Sequence, residues 1–175
     1  MATPPTFTSG SILTAAQMNA VGLWLVKSQT VGTGVSSVNV TGAFNADYDN
    51  YKIVLSGGVG STSQAIQLKL GASVTGYYGI LTYVSYATGA TTNVTTNNGT
   101  LWQYVGESSS AMQWVDLDLF NPFQAKNTIF GGSYSGSVAG IVGGYHAVAT
   151  SYTDFTLSVA GNMTGGTISV YGYRK

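Results

Sequence analysis

The stretch Met112-Gln113-Trp114-Val115-Asp116-Leu117-Asp118-Leu119-Phe120 changes character with every residue. Successive side chains of a strand point to opposite faces, so Met112, Trp114, Asp116, Asp118 and Phe120 share one side and Gln113, Val115, Leu117 and Leu119 the other. The second side is apolar beyond its first residue, and the first side adds a tryptophan, a methionine and a phenylalanine to its two carboxylates. One face is expected in a core and the other partly in a subunit contact. The alternative is a curved sheet inside one large core.

The same period of two recurs through most of the chain. Val- and Tyr-rich runs separated by Gly, Asn and Ser clusters predict strands at Val35–Val40, Tyr51–Gly57, Ala65–Leu70, Tyr77–Tyr86, Leu101–Glu107, Met112–Phe120, Thr128–Tyr134, Ile141–Ala149, Phe155–Ala160 and Thr167–Tyr173. No helical window follows Lys27. Short strands without crossover helices predict an all-β antiparallel β-sandwich, a jelly roll being the expected form, rather than a parallel sheet. Asn121-Pro122 is expected to end a strand, because proline cannot donate to a ladder, and Asn97-Asn98-Gly99 to make a tight turn. The surrounding Ala87–Thr100 has the Thr, Asn and Gly content of an exposed loop.

The N-terminal region reads differently. Thr14-Ala15-Ala16-Gln17 fits a capping box, Leu13 and Met18 have the spacing of a hydrophobic staple, and Gly22 can supply the left-handed stop. A helix this short is marginal in water and needs a surface to pack on. Pro4-Pro5 ahead of it favours an extended arm. The expected organisation is an attachment arm and helix over residues 1–26, a linker over 27–34 and a β-sandwich over 35–175. No basic region followed by an apolar core opens the chain, and no run reaches the roughly 18 apolar residues of a membrane span, so neither export nor membrane insertion is expected.

With 175 residues the chain can build one well-cored domain, and with no cysteine it has neither disulfides nor thiolate metal sites. Charged residues make up 7% of it, against roughly 25% in an average soluble domain. Six scattered basic residues cannot form the cationic stripe that nucleic acid or an anionic membrane surface requires. So few charges at zero net charge protect a solitary domain poorly against association, so much of the surface is expected to be covered by partners, first of all by further copies of the chain.

Catalytic material is scarce. His146 is the sole histidine, which excludes a multi-histidine zinc centre, and its mid-strand setting suits a hydrogen-bonded structural role. His146 and Asp154 could join one of many serines, but no Gly-x-Ser-x-Gly elbow accompanies them. Asp47 and Asp49 sit in an Asn/Asp turn. Asp116 and Asp118 share a strand face and are expected to form a solvent-facing stripe, with a calcium site the alternative, although the EF-hand spacing and its glycine are missing. Four Asn-x-Ser/Thr sequons at Asn39, Asn93, Asn98 and Asn162 are what an Asn- and Thr-rich chain yields by chance. No catalytic residue, cofactor or metal is assigned. Aromatics remain: Trp24, Trp102 and Trp114 are expected as core or interface anchors, and Tyr77, Tyr78, Tyr83, Tyr86 and Trp102 are the candidates for contact with a glycan.

Phe7-Thr8-Ser9-Gly10 followed by Ile12-Leu13-Thr14-Ala15-Ala16-Gln17-Met18-Asn19 resembles the F-x-x-G-x-x-L-T-A-A-x-x-N opening of virion proteins of tailed bacteriophages, especially minor tail and fibre proteins. "FNADYDNYKIVL" from Phe44 to Leu55 is similar to the first hairpin region of such proteins, and "GTISVYGYRK" to their closing strand. The resemblance implies a homotrimeric β-sandwich or jelly roll assembled in the host cytoplasm into the phage particle. It further implies that Phe7, Leu13, Thr14, Gln17, Met18 and Asn19 hold the chain to other virion proteins, with distal loops free to meet a host surface glycan. Capsid decoration proteins, as head cement or head fibre, use similar small trimeric β-domains and are the alternative. A free carbohydrate-binding module is the alternative from another class.

Overall fold

A computed structural model describes residues 22–173 together with 9, 10 and 12. The helix expected after Leu13 and the attachment residues Phe7, Leu13, Thr14, Gln17, Met18 and Asn19 lie outside the described residues. Among the described residues the chain is all-β and antiparallel, with strands β1 (Leu23–Thr30), β2 (Val35–Val40), β3 (Asn50–Ser56), β4 (Val59–Gly60), β5 (Gln64–Leu70), β6 (Tyr77–Ser85), β7 (Thr91–Gly99), β8 (Trp102–Ser108), β9 (Gln113–Phe120), β10 (Thr128–Ser135), β11 (Val138–His146), β12 (Phe155–Thr164) and β13 (Thr167–Tyr173).

All of them belong to one hydrogen-bonded sheet that branches at β9. One edge of β9 is paired along its length with β3, from Leu55 opposite Val115 to Asn50 opposite Phe120. The other edge is divided. Gln113, Trp114 and Val115 pair with β8, whereas Leu117 to Phe120 pair with β10. From β8 one branch continues through β5 and β12 to β2, and from β10 the other runs through β11 and β6 to β7. On the β3 side the sheet extends through β13 to β1.

The two neighbours part at Asp116, and each brings a glycine to that point. A Cβ on Gly106 of β8 would lie 2.0 Å from the Trp114 carbonyl oxygen, and one on Gly132 of β10 would lie 2.5 Å from that of Asp116. Only a residue without a side chain permits such an approach.

The alternation of β9 is realised as read. Gln113, Val115, Leu117 and Leu119 are buried, while Trp114, Asp116 and Asp118 are half-buried and Phe120 is exposed. Val115, Leu117 and Leu119 join a single core with Ile53 and Leu55 of β3, Ile66 and Leu68 of β5, Phe155 and Leu157 of β12 and Ile168 and Val170 of β13. Aromatic contacts tie its ends: Phe44 meets Tyr51 at 4.9 Å and Phe155 at 5.6 Å, and Trp102 meets Phe130 at 4.4 Å and Tyr77 at 5.3 Å. Asn121 follows β9 with φ 61, so the Asn-Pro step ends that strand as expected.

Strand ends shift at β11, read as Ile141–Ala149 but spanning Val138–His146 so that His146 ends it, and at β12, read as Phe155–Ala160 but running on to Thr164, and three further segments differ in kind from the sequence reading. Leu23–Thr30 was expected to fall partly in the arm and partly in the linker, yet it is a strand paired with β13 from Leu23 opposite Tyr173 to Thr30 opposite Thr167. Its period of two is broken by a register shift between Leu25 and Lys27, which hides the alternation. The ordered sheet therefore begins well before residue 35. Thr91–Gly99 was expected as loop and is β7, an edge strand on β6. Its β-branched threonines favour extended backbone, and its polarity reflects a strand with one unpaired edge. Asn97-Asn98-Gly99 is correspondingly a bulge within this pairing: the register shifts opposite Tyr77 and Gly79, with Asn98 at φ 50. The two-residue β4 is too short to carry a periodic signal.

Because Val26 packs against the core and Leu23–Val26 covers the edge of β13, a deletion of residues 1–26 is expected to lose about 1–3 kcal/mol of stability relative to a deletion of residues 1–22. Thermal denaturation of the two truncations measures the difference.

Candidate functional site

The divergence of β8 from β10 leaves a cleft of about 290 Å³ between the branches. Ser63, Gln64 and Ala65 line it from the start of β5, Tyr104 and Glu107 from β8, Leu81 and Tyr83 from β6, Val94 from β7, and Tyr134, Ser137 and Val138 from the β10–β11 corner. Glu107 is 2% exposed. The Ser63 hydroxyl donates to its Oε1 at 2.8 Å, and the Ser137 backbone N–H and hydroxyl both donate to Oε2 at 2.9 Å. Tyr134 also hydrogen-bonds the carboxylate, and burial together with that negative charge pushes its phenol far above the ordinary range. Every donor to Glu107 is neutral.

A second depression, of about 480 Å³, lies across the β10–β11 turn and is lined by Tyr86, Met112, Gln113, Trp114, Ser135 and Gly136, among others. The Gln113 amide donates to the Val59 carbonyl at 2.8 Å while its Oε1 is buried without a partner. Trp114 is half-buried and Tyr86 is 68% exposed.

Of the five aromatics expected at a glycan surface, Tyr83 and Tyr86 line these two depressions. Tyr78 is half-buried and stacked on Tyr145 at 4.9 Å with the planes 8° apart. Tyr77 and Trp102 are core residues with 0% and 1% exposure, which removes them from any contact surface. The Tyr77 hydroxyl accepts from the Leu70 N–H at 2.8 Å, and the Trp102 indole donates to the Tyr78 carbonyl at 3.2 Å, so their polar atoms are used inside the fold. Glu107 was missed by sequence reading. A single glutamate near a strand end carries no signal until the Ser63 and Ser137 segments close over it.

His146 has a serine beside it after all: Ser73 Oγ lies 2.9 Å from its Nε2. The same Nε2 lies 3.0 Å from the Thr75 carbonyl, a group that only accepts. In the neutral ring Nε2 therefore carries the proton, and it cannot take one from Ser73. Nδ1 faces the Tyr152 hydroxyl at 3.4 Å rather than a carboxylate. This pair lacks the tautomer and the orienting acid that nucleophilic catalysis uses. His146 is fully buried, as a structural histidine is.

The carboxylates Asp116 and Asp118 do share a face, and Lys52 of β3 stands opposite them. Its ammonium pairs with Asp116 and lies 3.7 Å from Asp118. Partial burial lowers the Lys52 pKa, but hydrogen bonding to Asp116 and the field of Asp118 outweigh it and hold the net value above the ordinary one. The Tyr173 hydroxyl donates to Asp118 and is pushed up to about 12, chiefly by burial and then by that carboxylate. The lysine occupies the position a bound cation would take, and no group of three or more metal-ligating side chains occurs among the described residues. In the Asp47–Asp49 turn, the Asn45 side chain accepts from the Asp47 N–H at 2.9 Å and Gln124 donates to Asp49 at 2.6 Å, so this acidic pair belongs to the turn as expected.

Burial lowers the pKa of His146 against the raising effect of the Thr75 and Val148 carbonyls. Below the unfolded value of about 6.5 the unfolded chain binds a proton that the folded chain refuses, so the stability this residue contributes is full above that pH and lost as pH falls toward the lowered native value. His146→Gln is expected to shrink the fall in thermal midpoint between about pH 7 and pH 5. Thermal melts across that range provide the check.

No protein-family model, curated protein or solved structure matches the chain.

Proposed function

We propose that this chain is a non-enzymatic structural protein of a tailed-bacteriophage particle, a tail or fibre component whose branched sheet is a β-sandwich that assembles as a homotrimer. The observation that carries the reading is the outer face of the sheet. Register places Leu23, Tyr173, Asn50, Phe120, Ile129, Tyr145 and Tyr78 directly beside one another across seven strands. Leu23, Phe120, Ile129 and Tyr145 are 38–48% exposed, and Leu25, Ile80, Val84 and Ile141 add 43–70% on the same branches.

A contiguous exposed apolar face marks an interaction surface, and the charges on it are already paired among Lys52, Asp116 and Asp118. An apolar sheet face whose carboxylates are held by a lysine of the same sheet suits a second copy of the chain. Three copies is the number implied by the resemblance of the N-terminal segment to tailed-phage virion proteins, and that segment, reaching Leu23 at the end of the apolar row, is the part expected to hold other virion proteins. Host-surface recognition is supported by the groove lined by Tyr86 and Trp114, aromatics that suit a glycan.

Ile129 and Ile141 are 48% and 70% exposed, so lysine at either position leaves the core intact. Light scattering is expected to give a trimer for the native chain and a monomer for the Ile129→Lys, Ile141→Lys double variant. Each buried isoleucine contributes roughly 1.5–3 kcal/mol per copy, and the lysines replace that with a desolvation penalty. A native chain that is monodisperse and monomeric at micromolar concentration overturns the proposal.

A further inference from the structure

The cleft between the branches has a property that packing alone does not demand. Glu107 accepts from Ser63, Ser137 and Tyr134, and those bonds fasten the β4–β5 segment and the β10–β11 turn to β8. These donors use both carboxylate oxygens but are all neutral, so they satisfy the hydrogen bonding of the buried group and bring no counterion to it. No lysine, arginine or histidine lines the cleft, and the ion pairs among the described residues both belong to Lys52 on another face. The fold therefore places one uncompensated negative charge against a cleft open to solvent.

The remaining walls are consistent with a cationic occupant. Tyr83, Tyr104 and Tyr134 line the same space, and aromatic rings attract a cation through their negative faces. Leu81, Val94 and Val138 add apolar wall suited to methyl or methylene groups. The volume of about 290 Å³ lies at the lower end of ligand sites, which fits a small molecule rather than a peptide or an oligosaccharide. Ser63 is exposed, so its hydroxyl can turn away from Oε1 and yield that acceptor to an incoming N–H.

We propose that the cleft formed by Glu107, Tyr83, Tyr104 and Tyr134 is a binding site for a small organic ammonium ion. The site is independent of the self-association face, since none of its lining residues belongs to the exposed row that runs from Leu23 to Tyr78.

Isothermal titration of the full chain with two matched pairs tests it: choline against its uncharged carbon isostere dimethylbutanol, and glucosamine against N-acetylglucosamine. The ammonium member of at least one pair is expected to bind, with its neutral partner weaker by about tenfold or more, and the pair that responds separates a quaternary from a primary amine. Glu107→Gln is expected to abolish that preference. Tyr104→Leu, which leaves the carboxylate in place, is expected to weaken the cation several-fold and serves where the Glu107 variant fails to fold. Equal binding of charged and neutral partners, or no heat from either ammonium compound at concentrations on the order of tens of millimolar, overturns the proposal.

Discussion

Everything in this fold turns on the change of neighbour along β9 at Asp116. Up to Val115 the free edge of β9 belongs to β8, and from Leu117 onward it belongs to β10. Two strands cannot occupy one edge together, so the exchange must happen within a residue or two, with both backbones crowded against the same carbonyls. Gly106 and Gly132 make that approach feasible, since a methyl group at either would overlap a carbonyl oxygen of β9. The exchange sends one set of strands toward β2 and the other toward β7. Among the described residues a single continuous sheet thus surrounds one core with no helix over it.

The cleft follows from the same event. Once β8 and β10 part, the space between the branches is filled by Trp102, Phe130 and Tyr77 at one end, and at the other by the looser set of Tyr83, Tyr104, Tyr134 and Glu107. Glu107 bonds across the gap to Ser137 and within its own branch to Ser63, so it limits how far the branches can separate. The β10–β11 turn that carries Ser137 passes so close that a Cβ on Gly136 would lie 2.3 Å from the Glu107 carboxylate. Position and chemistry are coupled here: the charged group that fastens the gap is also the group a ligand in that gap would meet.

Legibility in the sequence followed periodicity. β9, β3, β5 and β13 alternate cleanly because one face is core and the other is not, and their extents were readable to within a residue or so. β1 was not readable, because the register shift between Leu25 and Lys27 moves its pattern by one and leaves Leu23–Thr30, beyond the expected helix stop at Gly22, without a clean alternation. β7 was obscured by composition: Thr, Asn and Gly mark loops on average, yet as an edge strand it needs hydrogen bonds from β6 and little burial. Among candidate site residues, Tyr77 was misplaced, and Trp102, read both as a core or interface anchor and as a glycan contact, is the anchor only, because a tyrosine or tryptophan in a strand reads alike in core and surface settings. What separates them is whether a backbone partner waits inside, as Leu70 and Tyr78 do. Glu107 was invisible because its partners come from segments 44 and 30 residues away.

The chain's few carboxylates also explain why its outer face can be apolar and still ordered. Asp116 and Asp118 project from β9 onto that face, and left alone they would repel each other and any second copy laid over them. Lys52, on the neighbouring strand and in register with Asp118, offsets one of those two negative charges. Tyr173, one strand further, adds a hydrogen bond to Asp118 and lies in the same row as Leu23 and Phe120. The polar island is thereby tied together by contacts within the sheet and keeps one net negative charge, and the shape and apolar area around it determine what the face accepts. Glu107 is the opposite case, a carboxylate whose hydrogen bonds are supplied by its own fold and whose charge is not, and it lies in the cleft rather than on the face. Carboxylates faced by a lysine on the broad surface and a carboxylate faced by no cation in the narrow cleft are what separate a surface for copies of the chain from a site for a small cation.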